Sequence, residues 1–461
     1  MSKPASKRSV GDAEPTDHDR GDAGRSRVFR ARWVIPVSQP PIRDGWVEAV
    51  GHRIVAVGQA DQSPPSAPLI ELGDAAILPG LVNAHTHLEF SELSRPIGEP
   101  GIELDRWIVE VIAARGRTAD AAGPTDAAGG GGTAGSVIAA GSRQAMLGGA
   151  RMVYEIATTP WDGFAQPLAT ATVAFAEVLG LDPRRADERF TAARNHLARV
   201  DGSGTAATEL AAGISPHAPY STTLETVRRC VELARERRLP VAMHVAESGA
   251  ERELIERGSG RFAATLRDLG LYRPDHFGLG EGATAGLLQL LAEAPYALIV
   301  HGHDLRDEEA DLIAGDRRMT LVYCPRTADF FGHVPGGFAA VRDRGGRVAL
   351  GTDSRASNPD LSLWNEVLWL LDRRPDIAWH EVLAMATVGG ADAIGRGDLG
   401  RIEPGARSGL IAVPGDCDRS DDLPDIWIRS GAQPRFLSSG IYTSRITTSE
   451  TQGTLPQEGQ A

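Results

Sequence analysis

Hydrophobic and polar positions along the chain fall into three textures. From Arg27 to Ile70, short β-branched segments such as Arg32–Val37, Trp46–Val50 and Arg53–Gly58 are broken by Pro, Gly and Asp. They predict a small antiparallel sheet. After Leu410 the texture returns in Gly409–Val413 and Asp425–Arg429, which predict strands closing that sheet domain from the other terminus. Between them, apolar runs at 77–84, 150–156, 172–178, 210–216, 240–246, 296–301, 319–323 and 347–351 alternate with helical periodicity, as in Leu224–Arg237, Asp307–Ala314, Leu361–Leu371 and Glu381–Ile394. Eight such units predict an α/β fold, a (β/α)8 TIM barrel, with a small β-sandwich domain formed from both termini. The expected division is a disordered tail at 1–26, the sandwich at 27–74 and 399–437, the barrel at 75–398, and a disordered tail at 438–461. A barrel of this kind places its active site at the C-terminal ends of its strands.

Composition narrows the function. The chain has 461 residues, enough for a barrel of about 250 residues plus a smaller domain. Lys+Arg 48 against Asp+Glu 61 gives a net charge of −13, which argues against a nucleic-acid or anionic-membrane surface. Cys230, Cys324 and Cys417 are too scattered for a disulfide framework and read as buried small hydrophobes. The N-terminal stretch lacks an apolar signal region, and no run approaches the ~20 apolar residues of a membrane span, so a cytoplasmic protein is expected. The only lysines are Lys3 and Lys7, both in the tail, which excludes Schiff-base chemistry, a P-loop lysine and a metal-bridging carbamylated lysine. The Pro/Gly-rich stretch Ala121–Gly135 reads as a flexible insertion between two helices, with no cofactor role.

Candidate chemistry gathers where predicted strands end. The run Ile77–Phe90 is apolar until His85 and His87, whose spacing lets both imidazoles aim at one point beyond the strand. Two neutral imidazoles suit a borderline ion such as Zn2+, which needs further ligands from elsewhere. The fourth strand presents His217, the fifth His244 and Glu247, the sixth His301, and the eighth Asp353. His18, His52, His196, His276 and His380 read as solvated, whereas His303 and His333 are candidates for the pocket mouth.

As an ordered set, Asn83-Ala-His-Thr-His-Leu-Glu-Phe90, His217-Ala-Pro-Tyr220, His244-Val-Ala-Glu247, His301-Gly-His-Asp-Leu305, Tyr323-Cys-Pro-Arg326 and Leu350-Gly-Thr-Asp-Ser354 resemble the amidohydrolase superfamily. The similar branch holds the cytosine, guanine, S-adenosylhomocysteine and aminodeoxyfutalosine deaminases and the triazine chlorohydrolases. The resemblance runs from Arg27 to about Arg429, including Leu399–Gly405, where the family returns to its sheet domain. It implies that His85, His87, His244 and Asp353 bind one divalent metal, expected to be Zn2+ with Fe2+ or Mn2+ as alternatives. It also implies that Glu247 is the proton shuttle, that His301 lies beside the attacking water, and that His217 faces the substrate. One departure is Ala328, where relatives often carry Asn or His.

The implied reaction is hydrolysis of a non-peptide C–N bond, with Glu247, His301 and Asp353 as the catalytic residues. A metal site of this kind lowers the pKa of water from 15.7 to about 7. Asp353 would take the water's proton, His301 would steady the developing charge, and Glu247 would protonate the ring nitrogen beside the attacked carbon. The expected substrate is a small molecule, an aminopurine nucleoside or related aminoheterocycle, with neither nucleic acid nor membrane as partner and a homodimer as a compatible assembly. Trp107, Trp161, Phe90, Phe330, Phe331 and Tyr220 are candidates to sandwich its ring. Arg326 is a candidate for a ribose, carboxylate or phosphate, or else pairs with a protein carboxylate. Rival readings are hydrolysis of an amide or cyclic amidine, removal of a halide on the same metal site, and a barrel that binds without catalysis.

Overall fold

The computed structural model describes residues 26–121, 134–165, 167–202, 210–407 and 409–437. Apart from their ends, the expected tails and the Gly-rich insertion lie outside those residues. No helix among the described residues is long and apolar enough to cross a membrane.

Two small sheets pack face to face around Phe29, Val34, Val47, Ile54, Ile77, Leu410 and Ala412. One orders its strands Arg53–Gly58, Trp46–Val50, Ser26–Arg30, Leu69–Glu71; the other runs Arg435–Phe436, Leu410–Pro414, Ala75–Pro79, Trp33–Val34, Ile42–Arg43. The expected antiparallel sheet is therefore a mixed pair, because Ser26–Arg30 meets Leu69–Glu71, and Trp33–Val34 meets Ala75–Pro79, in parallel.

The expectation of a strand at Asp425–Arg429 is corrected. Leu423–Ser430 is a helix, begun with Pro424 in its first turn and stopped by Gly431 at φ 60°. Its buried residues, Leu423 and Trp427, stand four apart, the helical spacing. Trp427 packs edge-on against Trp364 at 5.2 Å between ring centroids, so this helix belongs with the barrel's outer layer.

The expected strand 77–84 is two strands hinged at Gly80. Ala75–Pro79 lies in the sandwich and Leu81–His87 in the barrel. A Cβ at Gly80 would come within 2.5 Å of the Gly409 carbonyl, so only glycine lets the chain pass the returning strand this closely.

The barrel strands are β1 (Leu81–His87), β2 (Ala150–Ala157), β3 (Ala171–Val178), β4 (Leu210–Pro216), β5 (Pro240–Val245), β6 (Tyr296–His301), β7 (Met319–Tyr323) and β8 (Val348–Leu350 continuing to Asp353–Ser354). Each runs parallel to the next, and β8 closes the ring: Leu350 pairs with Tyr323 of β7, while Asp353 and Ser354 pair with Thr86 and His87 of β1. Side chains from strands all round the ring meet in one cluster, including Val82, Met152, Tyr154, Val173, Phe175, Ala242, Leu298, Val300, Val322 and Ala349, which only an interior allows. β4 contributes space instead, since a Cβ at Gly213 would strike the Phe175 ring at 2.4 Å. The opposite faces of the strands pack against outer helices such as Leu224–Arg237 and Leu363–Arg373, through Val227, Val231, Val367 and Leu370. The expected helix Glu381–Ile394 is interrupted: Trp379–Ala384 passes into a π turn at Met385–Gly389 before Gly390–Asp392. There the Thr387 hydroxyl donates to the Leu383 carbonyl at 2.5 Å, competing for the acceptor of the regular ladder.

Candidate active site

The C-terminal ends of the strands converge on the predicted histidines. Ring nitrogens of His85, His87 and His244 all lie within 4.8 Å of one another, and all three side chains are buried. His85 Nε2 is 3.2 Å from His244 Nε2 and 3.6 Å from Asp353 Oδ1; His87 Nε2 is 3.7 Å from Asp353 Oδ1. Ligands about 2.0–2.1 Å from a tetrahedral ion stand roughly 3.4 Å apart, so the 3.2, 3.6 and 3.7 Å spacings are those of ligands to one Zn2+-sized ion. The tautomer of His244 fits too. Its Nδ1 lies 2.8 Å from the His217 carbonyl, which can only accept, so Nδ1 carries the proton and Nε2 turns its lone pair to the shared point. Burial, followed by the neighbouring His85, holds His87 and His244 well below the usual imidazole pKa, in the neutral form that metal binding requires.

Asp353 is fixed on both oxygens: Oδ1 accepts from the Ser354 amide at 2.7 Å and Oδ2 from the Ser357 hydroxyl at 2.9 Å. Glu247 Oε1 is 3.5 Å from His301 Nε2. Burial, then the charges of Asp353 and Glu251, push the Glu247 carboxyl well above its usual range, which favours its protonated form. His301 is pushed the other way by burial and the surrounding imidazoles and stays neutral. The backbone at the rim is unusual as well. Ala246 (φ 54°), His301 (φ 74°) and Asp353 (φ 54°) adopt the left-handed conformation, which side-chain-bearing residues rarely take and which clusters where function demands it.

These groups open onto a cavity of about 710 Å3 lined by, among others, His87, Phe90, Trp107, Glu177, His217, Tyr220, His244, Glu247, His301 and Asp353. His85 lies beneath its floor, fully buried. Of the aromatic candidates, Trp107, Phe90 and Tyr220 line the cavity; Trp161, Phe330 and Phe331 do not, and Phe331 instead backs Trp107 edge-on at 5.2 Å. His217 faces the cavity with Nδ1 2.6 Å from Ser221 Oγ. Of the two readings of Arg326, substrate contact or pairing with a protein carboxylate, the structure shows the second: its guanidinium meets Glu366 at 2.7 Å and Asp360 at 2.6 Å, and it is not among the residues lining the cavity. Glu366 in turn accepts from Asn358, which also donates to the Thr352 carbonyl, so Arg326 braces the loop after β8 against the residue preceding Asp353. His303 and His333 stack on each other at 4.7 Å away from the cavity wall. His196, expected in solvent, is buried against Trp161 and Phe164.

Two acids escaped the sequence reading. Glu251 accepts the Ala246 amide at 2.8 Å and the Glu247 amide at 3.1 Å, clamping the turn that carries Glu247. Its signal was present: Ser248-Gly-Ala-Glu251 has capping-box spacing, and Ser248 does cap the helix Gly249–Arg257. Glu177, near the end of β3, lines the cavity at 3% exposure. The rule that found His244, an ionisable group ending an apolar run, applies equally to Phe175-Ala-Glu177.

Comparison with known proteins follows this geometry. A family model described as the amidohydrolase family matches residues 76–436. A 5-methylthioadenosine/S-adenosylhomocysteine deaminase from Nitratidesulfovibrio vulgaris (strain DP4) is 29% identical over 409 residues, covering 83% of this chain and 80% of that protein. An aminodeoxyfutalosine deaminase from Deinococcus radiodurans is 29% identical over 369 residues, covering 76% and 81%. Among solved structures, an aminofutalosine deaminase from Helicobacter pylori superposes with a TM-score of 0.73 at 20% identity, over 88% of this chain and 97% of that one, and shares the fold.

Proposed function

The chain belongs to the amidohydrolase family, and from that membership we propose that it is a metal-dependent hydrolase of non-peptide C–N bonds, a hydrolytic deaminase of an aminopurine nucleoside or related aminoheterocycle. The observation that carries the reading is the meeting of His85, His87, His244 and Asp353 at one buried point, with the Glu247 carboxyl on the same cavity. The similarity to deaminases that act on adenosine-type substrates supports the reaction class.

In this reading the three imidazoles and Asp353 hold one divalent ion, assigned as Zn2+, which when bound brings the pKa of water down from 15.7 to about 7. The Asp353 carboxylate receives the proton that the attacking water gives up. The Glu247 carboxyl donates its proton to the ring nitrogen beside the attacked carbon, so that carbon accepts the oxygen without building charge on the ring. Glu247, now a carboxylate, takes the remaining proton from the added hydroxyl and hands it to the amine, which departs as ammonia. The proton on Asp353 then restores Glu247. His301, neutral and 3.5 Å from Glu247, orients the water and steadies the oxygen's charge. Trp107, Phe90 and Tyr220 supply apolar walls that exclude bulk water.

The test is ammonia release from purines, pyrimidines, pterins and their nucleosides by metal-loaded enzyme. Release from at least one aminopurine nucleoside is expected. Hydrolysis of amides or halides by the same enzyme, with no ammonia from any aminoheterocycle, would replace this reading.

A further inference from the structure

The mechanism leaves one buried acid on the cavity wall unused. Glu177 is 3% exposed; its Oε2 accepts from the Thr158 hydroxyl at 3.3 Å, and its Oε1 faces His217 Nε2 across 3.9 Å. That gap exceeds hydrogen-bond length, so the two groups do not satisfy each other. A desolvated carboxyl with an acceptor turned to a cavity is unfavourable unless something bound there supplies a donor. The imidazole opposite has Nδ1 engaged by Ser221 at 2.6 Å and lines the same cavity.

Position along the rim says which part of a substrate arrives there. Glu247 follows β5, His217 follows β4 and Glu177 ends β3, three consecutive strands. With Glu247 on the ring nitrogen beside the attacked carbon, the next strand meets the far side of that six-membered ring. The third then meets whatever the fused five-membered ring carries, which in an aminopurine nucleoside is the sugar.

We propose that Glu177 is a specificity-determining residue that accepts a hydrogen bond from the vicinal hydroxyls of a ribose, so that this chain acts on ribonucleosides in preference to free bases. The assignment rests on the deaminase reading above. Burial raises the Glu177 pKa and the Arg115 and Arg189 charges oppose the rise; in either protonation state Oε1 remains opposite His217.

The experiment compares kcat/KM for ammonia release from adenosine, 2′-deoxyadenosine, 3′-deoxyadenosine and 9-methyladenine, in the wild-type holoenzyme and in Glu177→Gln and Glu177→Asp. Leaving a buried acceptor without its donor costs about 10- to 100-fold, so the wild type is expected to disfavour at least one deoxy analogue and 9-methyladenine by about that factor. In Glu177→Gln the preference collapses towards unity, whereas Glu177→Asp, which keeps the carboxylate, retains part of it. The wild-type comparison needs no variant to fold. Comparable kcat/KM for all four compounds leaves deamination standing and overturns the sugar assignment alone, as does a Glu177→Gln variant that loses the same factor on every substrate. Absence of ammonia from all four overturns the deaminase reading and this assignment with it.

Discussion

Glu247 shows how a residue's surroundings decide its chemistry. A carboxyl in water is ionised at pH 7; here burial and the neighbouring Asp353 and Glu251 push its pKa well above the usual range, which favours the acid form over the base. Glu247→Gln keeps the size of the side chain and removes the transferable proton. Turnover should fall by about 10²–10⁴-fold while metal content, read by mass spectrometry, stays near one ion per chain. Gly351 tests the floor beneath. A Cβ there would meet His85 Cβ at 2.9 Å and Cys324 Sγ at 3.0 Å, with neither able to swing away. Gly351→Ala should displace His85 and weaken metal affinity by roughly 10–100-fold, the usual cost of disturbing a ligand's support, as a competition titration against a chelator would show.

At the scale of elements, what was legible in the sequence followed from contrast. His85, His87, His244, His301 and Asp353 stand out because each ends an apolar run, and a polar group there needs a reason. Residues that hold those groups in place do not stand out, because their partners are distant in sequence: Asn83 donates to Thr352 across 269 residues, and Arg326 meets Glu366 across 40. Nothing local separates an arginine bound for a substrate from one spent on a protein carboxylate. Asp425–Arg429 failed for another reason: five residues are too few to distinguish a period of 2 from one of 3.6, and the buried Leu423 that decides the matter lies just outside.

The turn after β5 carries its own prediction. Burial raises the Glu251 carboxyl from 4.5 to about 7, against the pull of its two backbone hydrogen bonds. A carboxyl with a raised folded-state pKa binds more protons folded than unfolded between those values, so its contribution to stability falls as pH rises from 4.5 to about 7. Glu251→Gln should remove part of that slope in denaturant titrations across this range. Because Glu251 clamps the Glu247 amide, the same variant should also lower kcat more than it changes KM.

For the molecule as a whole, β8 is both the closing strand of the barrel and the bearer of Asp353, so closure and site assembly are one event. Asn83 enforces it, donating to the Thr352 hydroxyl at 2.8 Å and accepting the Thr352 amide at 3.1 Å, which pins β1 to β8 beside the ligands. Removing the metal should therefore abolish turnover and leave the far-UV circular dichroism of the barrel in place, since the ring is held by its own ladders and interior packing. The most direct measurement is anomalous X-ray diffraction at the zinc edge from crystals of metal-loaded protein. A single peak about 2.0–2.2 Å from the Nε2 atoms of His85, His87 and His244 and from Asp353 Oδ1 is the predicted result. Loaded protein whose peak lies away from these four side chains, or touches none of the histidines, would contradict the account.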